Sequence, residues 1–455
     1  ARLEAVYSYD QSDKVLSAKY GTNGNYAPKV LYTYDSKGRV SDINGIASDL
    51  FTTVFQQTLT YYNNDNIHTM FLRNDGNGSW PNLHFTYSYD NYNRLTSAAC
   101  SNSYYTENYT YDDDGNFTHK ERPYNTSQSL TYNYTQPGKN YLMSLTKGGT
   151  NYSFTYDYKG NMIFDQRKAT FGFVYDRRNL PIQFSKAGLS HYYLYNDGGQ
   201  RIYKQTSSSN KEYNLIDHTG KELAIYNWVT GKLKMLNLFG NGIFGKVNVS
   251  YNAQNVRTDS RQYYIKDYLG SIRMTIDEKT FEVISAQDYF PFGGIMENRS
   301  YTTGGNVNDK YKFTEKERDT ETNYDYFGAR YYDSDLGRWL QVDPLADKYP
   351  GWSPYNYTLN NPLRYIDQNG DSVSVITSAP STKSTPDAKS GTNSIAGHTA
   401  ILVDGTVFSF EGDGKWHTYS KSDYMTNEKQ VRTVIAQTLN VDQSNVEMAL
   451  NNRTN

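Results

Sequence analysis

The chain has 455 residues and a single cysteine, Cys100. One thiol excludes an internal disulfide framework and a Cys-rich zinc site. No run of about 18 apolar residues occurs, so no segment reads as a membrane-spanning helix. Charge of one sign is missing too: Lys+Arg 46 against Asp+Glu 48 leaves a formal net charge of -2. That removes the electrostatic footprint expected of a nucleic-acid or anionic-membrane binder. Aliphatic residues are scarce, because the hydrophobic fraction of 37% includes 46 tyrosines. Mean hydropathy is -0.80. The chain opens on Ala1 without Met or a signal peptide and reads as a piece of a longer precursor.

Low hydrophobicity points to disorder only when net charge is high and aromatics are few. Here aromatics reach 15%. Tyrosine combines an apolar body with a polar tip, which suits thin β layers with much wetted surface.

The tyrosines are ordered. Tyr32-Thr33-Tyr34-Asp35-Ser36-Lys37-Gly38-Arg39-Val40 is the clearest copy of a unit that begins Tyr-x-Tyr-Asp, turns on Gly or Asn, and returns through a polar and then an apolar residue. Tyr7-Ser8-Tyr9-Asp10, Tyr87-Ser88-Tyr89-Asp90, Tyr109-Thr110-Tyr111-Asp112, Phe154-Thr155-Tyr156-Asp157, Phe173-Val174-Tyr175-Asp176 and Tyr193-Leu194-Tyr195-Asn196 repeat it, with weaker copies at Tyr62-Asn63 and Tyr134-Thr135. A period of about 20–28 residues marks a repeat architecture. Each unit predicts a β-hairpin. Alternating aromatics make a half-buried strand, Asp starts the turn by accepting backbone N–H bonds, and Gly or Asn supplies the positive φ. One hairpin is marginal alone, so stacked neighbours must stabilise it. No amphipathic helix is expected before residue 420.

Residues 263–371 carry a second ordered series. It contains Tyr264-Ile265-Lys266-Asp267-Tyr268-Leu269-Gly270-Ser271, Tyr289-Phe290-Pro291-Phe292-Gly293, Lys312-Phe313-Thr314-Glu315-Lys316-Glu317-Arg318-Asp319, Tyr324-Asp325-Tyr326-Phe327-Gly328-Ala329-Arg330-Tyr331-Tyr332-Asp333, Leu336-Gly337-Arg338-Trp339 and Asp343-Pro344-Leu345. With the repeats, this series resembles the Rhs/YD-repeat family, also seen in the C subunits of insecticidal toxin complexes and in teneurins. Its wording resembles the Bacteroidota branch, so a bacterial source is expected.

The resemblance implies a mainly β fold: a spiral shell of YD hairpins around a cavity closed by the Rhs-associated core, plus a small C-terminal α+β segment. A spiral that closes on itself would also hide its strand edges. The expected organisation is a partial YD-repeat shell over 1–262, the core over 263–371, a Ser/Thr-rich linker over 372–395, and the start of a variable effector over 396–455. Part of the shell is expected upstream of Ala1.

Two aspartates carry the chemistry that the resemblance implies. Asp343 and Asp367 stand in the motifs where many Rhs proteins place an aspartyl-protease-like pair that cuts the chain after Asp-Pro-x-Gly-Leu. Such chemistry needs one carboxyl to activate water and another to donate a proton. The chain departs from the motif at Gln368, which replaces Pro, and at Asp371, which replaces Leu. Read without the resemblance, both aspartates are turn caps.

The tail has its own signals. Gly397-His398 is followed by an apolar run, an Asp404-Gly405 turn and a second run, which predicts a hairpin; Glu428 to Leu439 predicts a helix. This order resembles permuted NlpC/P60-like cysteine peptidases and acyltransferases, in which the histidine is the general base. His398 is the corresponding candidate, with Glu411 and His417 as groups that could orient it. The nucleophilic cysteine is missing from 396–455, so it would lie beyond Asn455; otherwise His398 is an ordinary strand-start histidine. Asp112-Asp113-Asp114-Gly115-Asn116 offers oxygen ligands for Ca²⁺, but lacks the twelve-residue loop with a terminal Glu and reads as an Asp-rich turn. No cofactor or metal is expected.

The resulting expectation is a secreted or cell-surface shell that carries its own C-terminal toxin and releases it by autoproteolysis, for competition between bacteria or attack on a host. Its partners would be the toxin segment itself, an immunity protein and a secretion machinery. The alternative is a non-enzymatic YD-repeat adhesin or carbohydrate-binding wall-associated protein.

Overall fold

The computed structural model describes residues 5–375 except 22–26, 48–52, 77, 79, 135–139, 241 and 304–308. Beyond these it describes the backbone of the strands Thr399–Val403, Thr406–Phe410 and Trp416–Ser420.

A single antiparallel sheet of 26 strands runs from Ala5–Tyr9 to Ile295–Thr302. Each strand pairs with the next in the chain, in an unbroken meander. Alternation decides which face is buried. In Leu83–Tyr89, Leu83, Phe85 and Tyr87 are buried while His84, Thr86 and Ser88 are exposed. Among the described residues there is no α-helix, only short 3-10 turns, and no helix long and apolar enough to cross a membrane.

The YD unit has a physical explanation at each letter. The tyrosine hydroxyl reaches back across one hairpin and donates to a main-chain carbonyl. Tyr34 donates to Val15 at 2.7 Å, Tyr61 to Val40 at 2.6 Å, Tyr89 to Ile67 at 3.0 Å, Tyr111 to Leu95 at 2.6 Å and Tyr195 to Pro181 at 2.9 Å. The aspartate caps its own turn. Asp35 Oδ1 accepts the N–H groups of Lys37 and Arg39, both at 2.9 Å, and Asp90, Asp157 and Asp176 repeat the arrangement. Gly38 (φ 80°) fills the left-handed position that follows, and Asn93 (φ 62°) does so in its own unit. Where the residue four after the Asp is arginine, it joins neighbouring units. Arg39 and Arg94 donate Nε to Asp35 and Asp90 and lie over the rings of Tyr61 and Tyr111, at 4.1 and 4.8 Å.

The sheet curls until its beginning faces its end. Tyr20 stacks on Phe244 with ring centroids 5.3 Å apart, Asn74 donates to Asp288 Oδ1 at 2.9 Å, and Arg122 pairs with Glu297 at 2.5 Å. The curl does not close by main-chain pairing. Among the described residues Ala5–Tyr9 and Ile295–Thr302 are each paired on one side only, so the expected hiding of both edges is not realised. Side chains rather than a ladder join the two ends.

The sheet continues through Tyr263 to Thr302, and only then does the chain leave it. Residues 309–371 run along the buried face. Lys246 meets Asp309 at 2.9 Å, Tyr132 donates to the Leu336 carbonyl at 2.7 Å, and Tyr355 donates to the Gly160 carbonyl at 2.6 Å. One apolar core extends from Ala18 to Leu363, so this segment closes the curl from within. The predicted tail hairpin is present as Thr399–Val403 paired with Thr406–Phe410, and a third strand, Trp416–Ser420, adds to it. The helix expected over 428–439 lies outside the described residues.

Candidate functional site

Four short strands organise the core segment: Glu317–Arg318, Asp325–Tyr326, Tyr331–Asp333 and Arg338–Trp339. Arg330 enters the third of these and Asp343 follows the fourth. Asp367 follows the strand Tyr365–Ile366, which pairs with Ser374–Val375. The hairpin between those two strands turns Asp367 back towards Arg330.

Arg330 brings the two predicted aspartates together. Its Nη2 lies 2.9 Å from Asp343 Oδ2 and 3.2 Å from Asp367 Oδ2. Its Nη1 donates to the Pro354 carbonyl at 3.3 Å, its Nε donates to the Gly370 carbonyl, and its guanidinium lies 4.2 Å over the ring of Trp339. The carboxylates therefore share an arginine nitrogen rather than meeting directly.

Their surroundings differ. The Asp367 side chain is 2% exposed and that of Asp343 17%, so water reaches Asp343 far more easily. Burial raises the pKa of Asp367 above the ordinary aspartate value, ahead of the lowering by Arg330 and by backbone N–H bonds. Burial likewise lowers that of Arg330. Two carboxyls set apart in this way suit an acid and a base.

The chain around Asp367 is held on both sides of its backbone. Asp367 Oδ1 accepts N–H bonds from Asn369 at 3.2 Å, Gly370 at 2.7 Å, Asp371 at 3.1 Å and Ser372 at 3.2 Å. Lys316 Nζ donates to the Gln368 carbonyl at 2.6 Å and the Ala329 N–H to the Asn369 carbonyl at 2.8 Å. Gly370 is required here. Its φ is 79°, and a Cβ would lie 2.9 Å from the Arg330 nitrogen. Gln368 and Asn369 expose their side chains, so this grip reads backbone. A cavity of about 20 Å³ between Arg330, Asp343, Trp352, Pro354 and Asp367 has room for one water molecule.

The remaining sequence candidates do not join this site. His398 and Glu411 lie outside the described residues. His417 sits in Trp416–Ser420 opposite Ser409. Asp112–Asn116 is a hairpin turn capped by Asp112, which accepts the Asn116 N–H at 2.8 Å. Burial pushes the Cys100 thiol up to about 11, which leaves it a poor nucleophile. Sequence reasoning missed Arg330. The signal was chemical: two neighbouring carboxyls, one of them buried, need a cation.

A sequence model of the teneurin YD-shell family matches residues 51–369. The chain belongs to that family. The YD-shell is similar to toxin subunit YenC2 of Yersinia entomophaga, with 26% identity over 289 residues, 58% of this chain and 29% of that protein. It is also similar to salivary gland surface protein 1 of Aedes aegypti, with 27% identity over 224 residues, 47% of this chain and 6% of that protein. The chain thus spans only a small part of either relative's length. Among solved structures, the crystal structure of TcdB2-TccC3-TEV matches with a TM-score of 0.50 and 16% identity, covering 80% of this chain and 20% of that one. At that identity the match speaks for the YD-shell fold alone.

Proposed function

We propose that this chain is the closing part of a toxin-carrying YD-shell that cuts its own backbone between Asp371 and Ser372. The observation that carries the reading is the shared hold of Arg330 on Asp343 and Asp367, with the Ser372 N–H donating to Asp367 Oδ1 at 3.2 Å. Asp343, the better hydrated carboxylate, takes a proton from a water molecule in the adjoining cavity. The resulting hydroxide adds to the Asp371 carbonyl carbon. In the tetrahedral intermediate the Ser372 nitrogen becomes pyramidal and exposes a lone pair, and the Asp367 carboxyl, which burial favours in its protonated form, gives it a proton as the C–N bond breaks. The products are a carboxylate at Asp371 and an amine at Ser372. Arg330 keeps both carboxyls in place and balances their charge.

The exposure of Gln368 fits this reading, because the grip on the cut strand is made through backbone atoms. Similarity to a toxin subunit supports a carrier role, with the chain from Ser372 onward as cargo. The cargo, an immunity protein that neutralises it and an export machinery are the partners, and the place of action is outside the producing cell. His398 would serve the cargo as general base.

Intact mass of the denatured full chain tests this. Two fragments that meet at Asp371 and Ser372 are expected. One uncut chain after prolonged incubation of the folded protein would overturn it.

A further inference from the structure

The wall of the cleavage pocket is mounted on a repeat turn far away in sequence. The Ser353 N–H donates to the Asp114 carbonyl at 2.6 Å, and Asn360 Nδ2 donates to the Gly115 carbonyl at 2.7 Å. Trp352 lies against Gly115, where a Cβ would sit 2.9 Å from its ring. Arg338 Nη1 donates to Asn116 Oδ1 at 3.3 Å and lies 5.2 Å over the ring of Tyr134. Asn116 stands where Arg39 and Arg94 stand in their units, and Arg338 supplies the stacked guanidinium from the core segment instead.

The next residue along reaches the reacting groups. The Pro354 carbonyl accepts the Asp343 N–H at 3.1 Å and Arg330 Nη1 at 3.3 Å. The turn at 112–116 and the carboxyl pair are thus separated by one peptide unit, Ser353 to Pro354.

A second observation shows that this wall is strained and leans on the repeat turns. Thr358, Leu359 and Asn360 have φ of 48°, 55° and 56°, three consecutive non-glycine residues in the left-handed region. Such a stretch persists only where its surroundings over-determine it. Besides local bonds such as the Leu359 N–H to Asn356 Oδ1 at 2.9 Å, repeat turns hold it: Gly115 through Asn360, and Asn66 and Asn93 through Asn361 Nδ2 at 2.9 and 2.8 Å.

We propose that the turn Asp112–Asn116 positions the cleavage pocket, so that the chain cuts itself only after this repeat has seated against the core segment. The turn is a positioning element: it touches neither the water cavity nor the cut bond, and it acts through Ser353 and Pro354. Release of cargo is thereby tied to completion of this part of the shell. The inference rests on the self-cleavage reading, and its test separates the two.

Gly115→Ala adds a methyl group against Trp352 at φ 77°. Gly38→Ala imposes the same backbone strain at φ 80° in an equivalent turn, where only the Lys14 side chain is near. In the full chain, the fraction cut over time is read by intact mass. Gly115→Ala is expected to slow cleavage at least tenfold and Gly38→Ala less than twofold. Equal rates for both variants would overturn the proposal. Amide exchange of residues 369–372 in an Asp343→Asn background gives a readout without cleavage. Gly115→Ala should speed it at least tenfold, and unchanged exchange would overturn the proposal even where no variant cuts. Asn360→Ala, which removes the amide held by Gly115 and leaves the turn intact, takes the place of Gly115→Ala if that variant aggregates, with the same expected outcomes.

Discussion

Arg201 meets Asp319 through two hydrogen bonds, 2.9 and 3.0 Å long, and neither side chain reaches solvent. The pair ties a repeat strand, Arg201–Gln205, to the core segment. Around it Lys204 reaches Glu317, Asp319 and Glu321, and Lys310 reaches Glu222 and Glu317. Three cations thus face four carboxyls, and one proton completes the balance.

That proton gives a pH dependence of unusual sign. Burial pushes the Asp319 carboxyl up to about 6, ahead of the opposing pull of Arg201. An acid whose folded pKa exceeds its unfolded value of about 3.9 stabilises the fold fully below that value, and this contribution is lost as pH rises through about 6. Asp319→Asn removes the titration. Between pH 7.5 and 5, the melting temperature of the unaltered chain should therefore rise relative to that of Asp319→Asn, by the equivalent of about half of the roughly 3 kcal/mol that the full shift carries. Parallel curves would exclude Asp319 as the proton carrier.

Asp343→Asn and Asp367→Asn should each leave one chain where two fragments are expected, with a loss of at least about 100-fold in rate. In Asp367→Asn the introduced amide oxygen can still accept the turn N–H bonds, so the variant should fold. On the proposed mechanism the protonated form of Asp367, whose pKa is raised, gives the proton, so cleavage should fall on the alkaline side. Time courses by intact mass across pH check both points.

Arg330→Met should do more than stop cleavage. It leaves the buried Asp367 and the partly exposed Asp343 without their cation, at a cost of about 3–5 kcal/mol. Arg330→Lys keeps a charge but loses the forked geometry that spans Asp343, Asp367 and two carbonyls, so an intermediate loss is expected. Urea unfolding measures both.

Each tyrosine staple should contribute about 0.5–1.5 kcal/mol. Tyr111→Phe removes the bond to Leu95 and should lower the urea midpoint. Tyr158→Phe, at a ring 90% exposed, should leave it unchanged. Equal effects would mean that the hydroxyls do not join the repeats.

Much of this was legible in the sequence because turn chemistry is local. Asp35 caps residues two and four ahead of it, so the hairpins announce themselves in a few letters. Register is another matter. The third unit reads as Tyr62-Asn63, yet Tyr61 makes the staple to Val40, and the Tyr62 N–H opens the turn by donating to Asn66 at 2.8 Å. Two adjacent tyrosines offer two registers, and only the distant carbonyl selects between them. At the site, motif spelling pointed to Asp343 and Asp367. Arg330 stayed hidden, because its partners are assembled by the hairpin around Asp367 and by the turn after Trp339. The open edges were missed for the same kind of reason: side-chain contacts such as Asn74 with Asp288 join regions that the sequence keeps far apart.

The backward reach of each tyrosine bears on how such a gene can grow. A unit duplicated in frame arrives with its own hydroxyl and its own acceptor carbonyl, so both new joints are satisfied at once. The array can lengthen by copying wherever the core does not read it. Between Asn64 and Lys246 it does read it, first through Arg364, Asn361, Asn360, Ser353 and Tyr355 and then through Asp319, Glu317, Lys310 and Asp309. An insertion there would shift every later turn past its contact, so that stretch is a fixed ruler.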